Sequence, residues 1–112
     1  MPYNPKLNER IRAELAGTPN LVEKKMFGGV GYMLNGNMCC GILGDEFIAR
    51  FEPAKTTEML AKPHTRVFAA RNGRPMSGWV MVHADGLPTK AQLAKWVKLS
   101  LAYASALPPK NN

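Results

Sequence analysis

The alternation of apolar and polar positions changes period several times along the chain, and each change marks an element. Behind Asn4-Pro5, which reads as an N-cap and a first helical residue, Leu7, Ile11 and Leu15 recur every four residues until Gly17 and Pro19. This predicts a short amphipathic helix from about Pro5 to Ala16. From Leu21 the period falls to two: Val22, Lys24 and Met26 alternate with Leu21, Glu23, Lys25 and Phe27, and the pattern resumes after Gly28-Gly29 with Val30, Tyr32 and Leu34. Asn35-Gly36 then favours positive φ at both centres of a two-residue hairpin turn. The runs Met38 to Leu43 and Glu46 to Phe51 follow, so Leu21 to Phe51 is expected to form an antiparallel meander.

Glu52-Pro53 opens a second helix to about Ala61, with Met59 and Leu60 facing inward and Pro63 closing it. TRVFAAR (Thr65 to Arg71) and GWVMVH (Gly78 to His83) are rich in β-branched and aromatic residues, and predict a second hairpin with a long or bulged connection. Thr89 and Gln92 have capping-box spacing ahead of LAKWVKLSLAYASAL, which runs to Pro108-Pro109. On this last helix Leu99, Tyr103, Trp96, Leu107, Ser100, Leu93, Ala104, Val97 and Leu101 cover an arc of roughly 200°, about twice the minimum apolar stripe of a surface helix. Either the helix is packed on two sides, or its edge at Trp96, Leu99 and Tyr103 meets another molecule. The order α, several β, α, two β, α defines an α+β fold: a small antiparallel sheet with three helices.

The chain of 112 residues, 46% hydrophobic and 21% charged, has the size and composition of one soluble globular domain. Residues 1–112 are expected to form that single domain, with 108–112 as a flexible tail. The start, MPYNPKLNER, lacks the apolar stretch of a secretory signal and no run is long enough for a membrane span, so a cytoplasmic protein with no membrane partner is expected. The net charge of +7 is uneven: residues 1–62 carry eight Lys/Arg against seven Asp/Glu, and residues 63–112 carry seven against Asp85 alone. Basicity of this kind permits contact with nucleic acid or another acidic partner.

Candidate chemistry is sparse. Gly28-Gly29 lies between two strand runs rather than between a strand and a helix, and the P-loop and dinucleotide spacings are missing, so these glycines read as turn or close-approach positions. His64 and His83 stand outside any acid/base motif, and no His/Cys spacing describes a metal site. Cys39 and Cys40 are expected as free thiols on opposite faces of a strand, one in the core, with no catalytic role. The methionines read as core filling. Arg71 and Arg74 flank the Asn72-Gly73 turn, and Lys95 and Lys98 share a helix face; these four are the candidates for phosphate or nucleic-acid contact. No stacking motif or helix-turn-helix signature accompanies them. Catalytic residues, cofactor and metal are all expected to be absent.

The segments KKMFGGVGYMLNGNMCCGI, GRPMSGWVMV and LAKWVKLSLAYASALP resemble the N-terminal domain of the TfoX/Sxy family, over about Leu7 to Pro109, with MFGG and GRPM-x-GWV as the most specific pieces. The resemblance implies the order α-β(3)-α-β(2)-α, similar to secretion-chaperone-like and YjbR-like domains. It also implies a non-enzymatic role in bacterial transcription, since full-length members are associated with competence genes as coregulators of a DNA-bound activator. Those members carry a second, helical domain; this chain is expected to be a stand-alone N-terminal domain. The partner expected is a protein, including a second copy as a homodimer, engaged through Trp96, Leu99 and Tyr103. The alternative is a basic nucleic-acid-binding module.

Overall fold

The computed structural model describes residues 3–69 and 72–110. The first helix, α1 (Pro5–Leu15), starts where its cap chemistry directs: the Asn4 side chain accepts from the backbone N–H groups of Lys6 and Leu7, with Pro5 in the first turn. Its buried residues are Leu7, Asn8, Ile11 and Leu15. Four strands follow, β1 (Leu21–Met26), β2 (Gly29–Leu34), β3 (Asn37–Leu43) and β4 (Glu46–Arg50). A 3-10 turn at Pro53–Lys55 leads into the short α2 (Thr56–Leu60), and β5 (Thr65–Ala69), β6 (Pro75–His83) and α3 (Lys90–Ser105) complete the chain. The fold is α+β with three helices, as expected, and its first strand group holds four strands where the family order implies three.

All six strands form one antiparallel sheet in the order β1-β2-β3-β4-β6-β5. Asn35 and Gly36 both take positive φ, 52° and 84°, as the Asn-Gly pair demands. The first hairpin turns one residue earlier than its double glycine suggests. Phe27 (φ 42°) and Gly28 (φ 80°) form the two-residue loop, so that Phe27 occupies a left-handed conformation uncommon for an aromatic residue.

One face of the sheet, with Val30, Tyr32, Cys40, Ile42, Phe47, Ala49, Val80 and Val82, joins Leu7, Ile11, Leu93 and Val97 in a single core. The other face is curled. Ile48 and Met81 pair across β4 and β6, are buried, and lie outside the main core. Phe27 sits edge-on to Phe68 at 6.5 Å, and Phe68 lies 5.6 Å from Trp79. Four strand spacings separate β2 from β5, a span of about 19 Å in a flat sheet, so this aromatic chain requires strong curvature.

The ends are tied to the sheet. The Asn4 N–H donates to the Gly44 carbonyl at 2.8 Å. Within the 108–112 segment expected to be a flexible tail, the Pro108 carbonyl accepts from the Asn37 amide at 2.9 Å and the Lys110 N–H donates to the Asn35 carbonyl at 2.8 Å; residues 111–112 lie outside the described part. Among the described residues no helix is long and apolar enough to cross a membrane.

Candidate functional site

The groove between α2 and α3 collects residues that the sequence presents as two separate candidates. Thr89 caps α3 as anticipated, its hydroxyl oxygen accepting the Gln92 N–H at 3.2 Å. The helix then buries a narrow stripe of Leu93, Val97, Ser100 and Ala104. Trp96 and Leu99 flank this stripe, half-buried, and pack partly on the core. Lys95 and Lys98 stand exposed beside them. From α2 and its C-terminal turn come Met59, Glu58 and Lys62, and the seven residues line a groove of about 480 Å³. Lys62 had no candidate role in the sequence; only the placement of α2 opposite α3 brings it into the lining of the same groove as Trp96.

Tyr103 lies about two turns beyond Trp96 on the same side of α3, outside the groove lining. It is half-buried, with its ring 5.5 Å from the Arg50 guanidinium. The same guanidinium stands 5.0 Å over Trp79 and donates to the Met38 carbonyl at 3.0 Å, while the Arg50 backbone N–H donates to the buried Ser100 hydroxyl at 3.1 Å. Arg50 therefore couples the end of β4 to α3, to the curled face and to β3.

Of the loop arginines, Arg74 is exposed beside a turn in which its N–H meets the Asn72 side-chain oxygen at 3.0 Å, and it does not line the α2–α3 groove. Arg71 lies outside the described residues.

The cysteines depart from expectation. Both are buried in the main core, and their sulfurs are 3.6 Å apart. The cause is a β-bulge: Tyr32 pairs with Cys40 and Met33 with Met38, leaving Cys39 as the extra residue and interrupting the alternation that would separate the side chains. The two thiols share a hydrogen bond, and contact with Cys40 holds Cys39 below its ordinary range, with Arg50 adding attraction for the thiolate. Cys40 is pushed well up by that same partner and by burial.

His83 has a neighbour that the sequence reading did not anticipate. Its Nδ1 accepts the Asp85 N–H at 3.0 Å and lies 3.5 Å from the Asp85 carboxylate, at a turn where both side chains are exposed. His64 is exposed in a left-handed conformation with φ 64°. Among the described residues no three His, Cys, Asp or Glu side chains gather as a metal site.

Fold and site together describe an α+β domain with an amphipathic, lysine-rimmed groove between two helices. The family model for the TfoX N-terminal domain matches residues 13–104, most of the chain. The chain belongs to the TfoX N-terminal domain family. No curated protein and no solved structure matches it.

Proposed function

We propose that this domain is a non-enzymatic, cytoplasmic binding module of transcriptional regulation, and that it acts by holding a partner protein in the α2–α3 groove. The observation that carries this reading is the shared lining: Met59, Trp96 and Leu99 offer apolar contact while Lys62, Lys95 and Lys98 offer charge at its edge. Central aromatic and aliphatic anchors inside a polar rim are the usual anatomy of a protein-binding hot spot. Membership of the family supports the regulatory setting.

A photoreactive amino acid placed at position 95 tests the proposal in native cells. Crosslinking to a transcription factor or polymerase subunit is the expected result. Crosslinking to nucleic acid alone would replace this reading with phosphate contact through Arg74, Lys95 and Lys98, and so would steeply salt-dependent DNA binding that falls on Lys95→Ala with Lys98→Ala.

A further inference from the structure

The groove limits what can fill it. Its size, about 480 Å³, falls in the ordinary range of ligand sites. Trp96 and Leu99 are three positions apart on α3, roughly 4.5 Å along its axis, and Lys95 and Lys98 repeat that spacing beside them. Across the groove stand Met59 and Lys62, and Glu58 is the one carboxylate among the lining residues against three ammonium groups. A complementary occupant therefore carries apolar groups at a pitch of about one helical turn, with carboxylates on the flanks.

Resting on the reading of the groove as a protein-binding site, we infer that its occupant is an acidic amphipathic helix of a partner protein, with apolar residues at i and i+3 or i+4 between Asp or Glu side chains. A second copy of this chain does not meet that description. Its α3 carries Lys90, Lys95 and Lys98 with no Asp or Glu, α1 balances Glu9 and Glu14 against Lys6, Arg10 and Arg12, and the whole chain is at +7. Nucleic acid fits less well, because Trp96 is the one aromatic ring in the lining and Met59 and Leu99 beside it offer no further stacking surface.

A displayed library of amphipathic helical peptides, random in charge at the flanking positions, is selected against the whole chain, with duplex DNA as competitor. The expected winners are acidic. Their binding weakens about tenfold or more on Trp96→Ala, as for a central aromatic anchor, and also on Lys95→Glu with Lys98→Glu, two exposed positions whose reversal leaves the core untouched. Selection against that charge-reversed variant is expected to shift the winners toward basic flanks, a readout that misfolding cannot produce. No enrichment, winners without acidic bias, or binding indifferent to the lysine reversal overturns the inference, as does displacement of the peptides by DNA at equal affinity for the groove. If crosslinking from position 95 still captures a transcription protein in any of those cases, the protein-binding role stands and only the acidic helix falls.

Discussion

Cys39 and Cys40 are neighbours in sequence, yet the β3 bulge brings their sulfurs to 3.6 Å inside one core. The contact is a hydrogen bond between thiols of unequal acidity, Cys39 held below its ordinary range and Cys40 pushed well above it.

Removing Cys40 tests what holds Cys39 low. Cys40→Ala is expected to raise the pKa of Cys39, since the thiolate loses the group that stabilises it. The midpoint of the pH dependence of Cys39 alkylation is the measurement, because a midpoint is insensitive to a uniform change in access. A downward shift would show that Cys40 does not donate.

Tyr32 donates to the Asn8 side-chain oxygen at 2.5 Å, and both residues are buried. Tyr32→Phe strands that oxygen and should cost about 1–3 kcal/mol in urea unfolding. Replacing both residues, Tyr32→Phe with Asn8→Leu, should recover part of the loss.

Burial, aided by the Glu23 carboxylate, pushes the Tyr32 phenol up to about 12 from its ordinary 10.0. The folded chain keeps this proton where the unfolded chain gives it up. Its contribution to stability is therefore complete below about pH 10 and falls as pH rises toward about 12. Tyr32→Phe should flatten that part of the stability profile; an unchanged slope would assign the alkaline loss to other groups.

Arg50 joins three elements through one side chain. Arg50→Met should lower stability by about 2 kcal/mol, combining two cation–π contacts with a charged hydrogen bond. Arg50→Lys should recover only part of this, because an ammonium cannot span Trp79, Tyr103 and the Met38 carbonyl together. Denaturant midpoints at unchanged slope are the check.

Gly41 lies where strands approach closely. A Cβ there would stand 2.5 Å from the Val30 carbonyl oxygen and 2.9 Å from the Met38 methyl. Met38 can swing aside, but the paired backbone of β2 cannot. Gly41→Ala should lower stability by about 1–3 kcal/mol, the range for overpacking, measured by thermal unfolding.

Legibility followed the range of the forces involved. The Asn4 and Thr89 caps, the Asn35-Gly36 turn and the strand runs of β2, β4 and β6 depend on residues within a few positions of each other. Asn4-Pro5 states its own geometry. The Cys39 bulge escaped because a register shift is a property of two strands, and CysCys reads identically with or without one. Phe27 escaped because turn preference placed the loop on Gly28-Gly29, whereas pairing of Met26 with Gly29 puts it on Phe27-Gly28. Lys62 escaped because nothing near it in the chain mentions Trp96.

By itself the chain's order of residues determined an α+β domain of this family, its three helices, the antiparallel character of its sheet and a basic second half, since capping, periodicity and turn chemistry act locally. Tertiary structure alone decided that the sheet curls until Phe27 meets Phe68, that two thiols share a core, and that Lys62, Lys95 and Lys98 surround one apolar groove. Those outcomes depend on which distant segments pack together, and packing is settled by the burial of surface across the whole chain at once.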